Sequence, residues 1–249
     1  ALIGPNGAGK TTLLDCLLGD KLVTSGQVSV QGLPVTSSQL DYIRGYLPQE
    51  NIIVQKLKAK ELIAFFQSIY PNHLSNQEID QLLQFDQQQK EQLAEKLSGG
   101  QKRLFSFVLT LIGRPKLVFL DEPTAAMDTS TRQRFWEIVQ DLKAQGVTIL
   151  YSSHYIEEVE HTADRILVLN KGELIRDTTP LAMRSEEIEK HFILPLAYKE
   201  VVEQSNLIEN WVQKQDALQV VTREADAFWQ LLVQAGCRIQ EIEVNNRSL

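Results

Sequence analysis

Leu2-Ile3-Gly4-Pro5-Asn6-Gly7-Ala8-Gly9-Lys10-Thr11-Thr12, near the start of a 249-residue chain, decides the fold. Gly4 to Thr11 fits G-x-x-x-x-G-K-[ST] in full. Ala1-Leu2-Ile3 reads as the end of a buried strand, and Thr11 to Leu18 as a helix stopped by Gly19. Between them the glycines let backbone N–H groups turn toward one point, a nest for anions, and the helix adds its positive N-terminal end. Lys10 then reaches the outer phosphates of a nucleotide, and the Thr11 hydroxyl suits Mg²⁺. Strand, loop and helix in this order are the context that the pattern needs.

Working outward, Leu117-Val118-Phe119-Leu120 is a continuous apolar run, as in a strand buried on both faces. It delivers Asp121 and Glu122 to a strand's C-terminal end, where open α/β sheets hold ligands. Asp121 can support a metal shell, and Glu122 can act as general base toward water. Leu97-Ser98-Gly99-Gly100-Gln101 precedes a helix running to Ile112. It offers a second nest in which Ser98 supplies a hydroxyl and the two glycines expose backbone donors; Ser98 could equally serve as a helix cap. Further strands are expected at Gln27 to Gln31 and Val147 to Tyr151. Helices are expected at Glu61 to Tyr70, Asn76 to Phe85 and Thr131 to Gln145, and a hairpin over Arg165 to Asp177 turning at Asn170-Lys171-Gly172. Gln87 to Glu95 reads as a polar loop or helix face. Strands alternating with helices imply an α/β fold with a mainly parallel sheet. After about Pro180 the alternation fades. It returns with a strand at Leu218 to Thr222, a helix at Glu224 to Ala235 and a strand at Arg238 to Val244, a small α+β accessory region.

Leu-Ser-Gly-Gly-Gln, placed between the glycine loop and the acidic pair, resembles the signature of the nucleotide-binding domain of ABC ATPases. The resemblance implies a P-loop NTPase core over residues 1 to 180, with upstream strands missing and a helical subdomain at about 50 to 112. A linker at 181 to 195 and the accessory domain at 196 to 249 would follow. It implies ATP and Mg²⁺ as cofactors, with Gly4, Pro5, Asn6, Gly7, Ala8, Gly9, Lys10, Thr11 and Thr12 on the phosphates. Thr11, Gln49 and Asp121 would attend the metal. Ser98, Gly99, Gly100 and Gln101 would lie on the nucleotide of a second subunit. Gln49, in Gly45-Tyr46-Leu47-Pro48-Gln49, matches the family's Q-loop glutamine. His154, after Ser152-Ser153, matches its switch histidine, which with Glu122 completes the catalytic set. Asp128 matches the D-loop aspartate, although Met127 and its neighbours stand where the family usually has glycine or leucine.

The family pairs such domains head to tail, so the resemblance implies a homodimer or heterodimer. It also implies integral membrane permease subunits as partners, and a cytoplasmic place on the inner face of the membrane. His154 to Glu160 is similar to the exporter-type (ABC-2) branch, which makes ATP-powered export the expected function. The alternative is a soluble ABC ATPase of translation or DNA repair. Translation types carry two nucleotide-binding units, and repair types insert a long coiled coil that the interval Lys10 to Ser98 is too short to hold. A catalytically dead module is disfavoured by Lys10, Gln49, Glu122 and His154. Family members begin with an antiparallel segment bearing an adenine-stacking aromatic, whereas Ala1 already lies in the strand before the loop. The tail from Arg238 resembles the exporters' accessory region and stops at Ser248-Leu249. The chain therefore reads as trimmed at both ends.

Bulk properties bound these readings. Hydrophobic residues make up 43% and charged residues 23%, a globular balance able to fill a sizeable core. A net charge of −7 speaks against nucleic acid as partner. Two distant cysteines, Cys16 and Cys237, give neither a disulfide framework nor a metal spacing, and Cys16 reads as a buried thiol. The most apolar run, Leu104 to Ile112, falls well short of the roughly 18 apolar residues that span a bilayer. His73, His161 and His191 read as surface residues, and Trp136, Trp211 and Trp229 as packing groups.

Overall fold

The computed structural model describes residues 1–185, 189–214 and 216–246, and it divides the chain into two units. The first holds Ala1–Thr162 and Ile166–Asp177. Its elements open with β1 (Leu2–Ile3), α1 (Lys10–Leu18), β2 (Ser29–Val30), β3 (Leu33–Pro34) and β4 (Arg44–Leu47). A helical stretch follows: α2 (Ala59–Ile69), α3 (Asn76–Leu83), α4 (Gln87–Glu91) and α5 (Gly99–Leu111). The unit continues with β5 (Leu117–Leu120), α6 (Thr129–Ala144), β6 (Thr148–Ser153), α7 (Ile156–Thr162), β7 (Ile166–Asn170) and β8 (Glu173–Thr178).

Six strands form one sheet in the order β4-β5-β6-β1-β7-β8. The pairs β4–β5, β5–β6, β6–β1 and β1–β7 are all parallel. The α/β class with a mainly parallel sheet is therefore the observed one. Parallel pairing has a direct consequence: the C-terminal ends of β1, β4, β5 and β6 share one edge. Leu47 is level with Leu120, Leu120 with Tyr151, and Ile3 with Ser153. The segments that follow these four strands start side by side, and they carry the glycine loop, Gln49, Glu122 and His154.

Burial explains the strand choices. Leu117, Val118, Phe119 and Leu120 are all buried, as a strand covered on both faces requires. Burying side chains of this size contributes about 1.5–3 kcal/mol each. On α5, Phe105, Phe107 and Leu109 are fully buried, so the helix is covered nearly all round. The hairpin β7–β8 turns at Lys171 and Gly172, both at positive φ (49° and 82°), the geometry of a two-residue turn that matches strand twist. The polar stretch Gln87 to Glu95 folds mostly as α4, capped by Asp86, whose carboxylate accepts from the Gln89 N–H.

The second unit holds Ala163–Arg165 and Thr178–Leu249. It contains α8 (Pro180–Ser185), β9 (Lys190–Pro195), α9 (Lys199–Gln204), β10 (Asn210–Lys214), β11 (Ala217–Thr222), α10 (Ala225–Gln234) and β12 (Glu243–Asn246). The strands pair antiparallel in the order β10-β11-β9-β12. From β9 onward this is a β-α-β-β-α-β unit. Phe192, Leu194, Leu218, Val220, Phe228 and Leu232 form its core.

Two sequence readings are corrected here. Of the expected linker at 181–195, residues 181–185 lie in α8 and 190–195 form β9, an inner strand between β11 and β12. The unit boundary accordingly falls at Thr178, ahead of 196. Arg238 to Val244 is not one strand. Glu241 accepts from the Arg238 N–H and from the Tyr198 hydroxyl, which curls Ile239–Glu241 into a 3₁₀ turn, and β12 starts only at Glu243. The Ser248-Leu249 pair lies outside the described residues. Smaller adjustments concern cysteine and histidine. Both cysteines are free; Cys237 is the buried one and Cys16 is half-buried. His73 and His161 are exposed, whereas His191 on β9 is half-buried. Trp136 packs edge-on against Phe135 and Tyr151, and Trp211 and Trp229 pack against the core of the second unit.

Candidate active site

The glycine loop runs from β1 to α1. Gly4, Gly7 and Gly9 sit at φ 155°, 79° and 100°, values that side chains beyond glycine rarely adopt. Gly4 is further fixed by space, since a Cβ there would stand 2.2 Å from the Leu169 carbonyl oxygen of β7. No side chain caps α1: its N-cap is Gly9, in the left-handed region. The first turn of the helix therefore keeps free backbone N–H groups, and its positive end faces the loop. Lys10 is buried, and its Nζ donates to the Gly4 carbonyl at 2.8 Å and the Pro5 carbonyl at 3.3 Å, which places the ammonium over the loop.

Asp121, at the end of β5, is 1% exposed. Its Oδ2 accepts from the Thr11 hydroxyl at 2.8 Å, and its Oδ1 from the Ser152 hydroxyl at 2.5 Å. The Ser152 Oγ also accepts the Glu122 N–H at 2.8 Å. Ser152, on β6, thus ties both acidic residues to the neighbouring strand. Sequence reading missed this role, because a serine in a strand carries no motif; the only signal was its place on the strand before His154. Glu122 sits at φ 45°, a left-handed conformation that costs a non-glycine residue about 1–2 kcal/mol. Such strain is retained only where surrounding contacts fix it.

His154 follows β6, with Nδ1 3.4 Å from Glu122 Oε1 and its ring packed on Tyr155. Behind it Glu158 of α7 accepts from the Thr124 hydroxyl at 2.9 Å and from Trp136 Nε1 at 2.7 Å. Those bonds join α7, which starts two residues after the histidine, to α6 and to the segment after Glu122. Asn6, Gly7, Ala8, Gly9, Lys10, Thr11, Thr12, Gln49, Glu122 and His154 line one open cleft of about 640 Å³. Tyr46, on β4, has its hydroxyl pushed up to about 12 by burial, with the Asp121 charge adding to the effect.

The signature residues are placed differently. Ser98, Gly99, Gly100 and Gln101 are not among the residues lining that cleft. Ser98 caps α5: its hydroxyl accepts from the Gln101 N–H at 3.2 Å, while Gln101 Oε1 accepts from the Ser98 N–H at 3.0 Å. The helix-cap role considered from the sequence is present in the fold. Gly100 has a second reason to be glycine, as a Cβ would lie 3.0 Å from Asp128 Oδ2 and 3.3 Å from Thr131 Oγ1. Asp128 caps α6. The Thr131 N–H and the hydroxyls of Ser130 and Thr131 hold its carboxyl far below the usual carboxylate range.

The family profile described as ABC transporter matches residues 1–125. The chain is 38% identical over 192 residues to ABC transporter A family member 2 of Arabidopsis thaliana, covering 74% of this chain and 19% of that protein. It is 35% identical over 193 residues to Nod factor export ATP-binding protein I of Mesorhizobium japonicum, covering 75% of this chain and 57% of that protein. The chain thus spans about a fifth and just over half of these relatives. Among solved structures, a dimeric ATP-binding cassette in a post-hydrolysis state bound to ADP and Pi matches with a TM-score of 0.63 at 22% identity. That match covers 72% of this chain and 84% of the cassette, and supports the fold.

Proposed function

The chain belongs to the ABC transporter family, and from that premise we propose that it binds and hydrolyses ATP to power a membrane exporter. The observation that carries this reading is the single cleft that gathers the glycine loop, Gln49, Glu122 and His154 from the C-terminal ends of four adjacent strands. The uncapped N-terminus of α1 and the Lys10 ammonium take the phosphates. Glu122 accepts a proton from water as the water oxygen attacks the γ-phosphorus. The bond to the bridging oxygen breaks, and ADP and phosphate leave. His154, beside Glu122, is the contact for the γ-phosphate, and Gln49, lining the same cleft, orients the water.

A divalent ion fits the residues present. The Thr11 hydroxyl and the Asp121 carboxylate, 2.8 Å apart, are hard oxygen donors, of the kind that hold Mg²⁺ together with phosphate oxygens and water. When bound, the ion neutralises charge developing on the phosphates.

Ser98 to Gln101 lie apart from the cleft of their own chain, so they serve the nucleotide of a second subunit, in a homodimer or heterodimer. The dimeric cassette among the similar structures supports pairing. No helix among the described residues is long and apolar enough to cross a membrane. The membrane role comes through integral permease subunits, which place the chain on the cytoplasmic face. The similarity to a Nod factor export protein favours export as the direction.

Glu122→Gln is expected to lower the ATPase kcat by about 10²–10⁴-fold, the usual contribution of a general base. It should also accumulate an ATP-dependent dimer, read as doubled mass in solution. A protein that stays monomeric at saturating ATP would exclude the paired mechanism. Co-purification with an integral membrane subunit is expected; recovery only with ribosomes or DNA would overturn the exporter reading.

A further inference from the structure

Arg103 lies on the buried side of α5, 2% exposed, and its guanidinium meets main-chain carbonyls from two separate segments. Nε donates to the Pro123 carbonyl at 2.9 Å; Nη2 donates to those of Asp121 at 2.7 Å and Glu122 at 3.2 Å. Nη1 donates to the carbonyls of Pro48 at 2.6 Å, Gln49 at 3.1 Å and Glu50 at 3.4 Å. Ser106, three residues further along the same helix, accepts the Ile52 N–H at 3.0 Å. One strip of α5 therefore grips both the segment after β4 and the segment after β5.

These segments begin level with each other, Leu47 against Leu120, and then leave the sheet. Just past that point the Asp121 N–H still donates to the Leu47 carbonyl at 2.9 Å, and from there on the guanidinium is the connector. Glu122 shows why a connector is needed. Its left-handed backbone is held at the N–H by Ser152 and at the carbonyl by Arg103. Burial pushes the Arg103 guanidinium down to about 10, so the group keeps its charge at neutral pH despite its desolvation. A buried charge is tolerated when its donors are satisfied, and the planar fork satisfies them with carbonyls from both segments at once.

We propose that Arg103 is a positioning residue for hydrolysis: a single guanidinium fixes the backbones that carry Glu122 and Gln49, so the two side chains keep one mutual geometry over the γ-phosphate. This inference rests on the reading of Glu122 and Gln49 as the residues that act there. Arg103 touches no nucleotide position itself, and its effect runs through the two segments.

The test is steady-state ATPase kinetics with parallel nucleotide binding, on Arg103→Lys, Glu122→Gln and the double variant. Lysine keeps the charge but cannot span both segments. Arg103→Lys is expected to lower kcat by about 10²-fold, the scale of a small misplacement of reacting groups, with KM and ATP affinity within about twofold of wild type. In the double variant the further loss should be far smaller than the about 10²-fold loss in the wild-type background, because the Glu122 share of the effect is already gone and only the Gln49 share remains. The ATP-dependent dimer of Glu122→Gln should persist in the double variant. Multiplicative losses, or a rise in KM that accounts for the defect, would overturn the proposal. Full activity in Glu122→Gln would remove the underlying reading and the proposal with it, whereas native kinetics in Arg103→Lys beside an impaired Glu122→Gln would overturn the proposal alone. Should the lysine variant not fold, Arg103→Gln, which buries no unpaired charge, is read by the same criteria. If neither variant binds ATP with native affinity, Arg103 is a fold-holding residue and the proposal fails.

Discussion

Two helix N-termini in the first unit look alike in sequence, each a glycine-rich turn leading into an apolar helix, and the structure separates them. At α1 the cap is Gly9, which offers no side chain, and the free N–H groups face the cleft. At α5 Ser98 and Gln101 satisfy each other's backbone donors, and neither residue lines the cleft. A third terminus, at α3, is also closed on itself: Ser75 and Glu78 form the same reciprocal box, and Arg114 binds both Glu78 oxygens at 2.7 Å. The lesson is that a glycine nest faces a cleft of its own chain only where the helix leaves its donors unpaired. The α1 end is open toward a cleft of its own chain, the α5 end is closed by its own cap, which the proposed second-subunit nucleotide would displace, and the α3 end is closed by its own box and Arg114.

The sharpest way to break this contrast is at α1. Lys10→Ala is expected to lower ATPase kcat by about 10²–10³-fold, the scale for losing one preorganised donor to a transition-state oxyanion. Phosphate release measures it, and near-normal turnover would remove the α1 end from the chemistry. An intermediate effect is expected at α5. Ser98→Ala should cost about 1 kcal/mol of thermal stability through the lost cap. It should also reduce ATPase about tenfold, as expected for one hydrogen bond to a charged group, with a steeper dependence on protein concentration. Lowered stability with unchanged ATPase would make the α5 end equivalent to α3.

The smallest effect belongs to α3. The Ser75 N–H, with Arg114 beside it, lowers the Glu78 carboxyl from 4.5 to about 2. A carboxyl depressed on folding adds stability that is fully present above pH 4.5 and is lost as the pH falls toward 2. Glu78→Gln should therefore melt below wild type at pH 6, converge with it near pH 2, and leave ATPase unchanged. Melting curves across that range check the sign. A gap that persists at pH 2 would show that the loss came from packing rather than charge.

Legibility in the sequence followed how local the causes were. The glycine loop, the buried strand Leu117–Leu120 and the acidic pair after it are contiguous, so their spacing alone exposed them. His154 and Gln49 needed the resemblance, since a single histidine or glutamine after a strand has no pattern of its own. The roles of Arg103 and Ser106 left no signal in the sequence, and that of Ser152 only its place before His154. Each acts on main chain or carboxylates 18 to 55 positions away, and nothing in their immediate neighbours signals those partners. The strand β9 was missed for a related reason. Only Phe192 and Leu194 of its six residues are buried, too few to stand out in the sequence. Its pairing with β11 and β12 is what makes it a strand.

What the sequence by itself determined was the class of chemistry, because a phosphate nest, a metal-ready carboxylate and a base are each encoded within a few consecutive residues. What only the tertiary structure decided was which groups work together. Parallel pairing of β4, β5, β6 and β1 brings four loops to one edge, leaves Ser98 outside the cleft, and sets Arg103 between Gln49 and Glu122. Those relations arise from long-range packing, where a side chain's role depends on the backbone brought against it rather than on its neighbours in the chain.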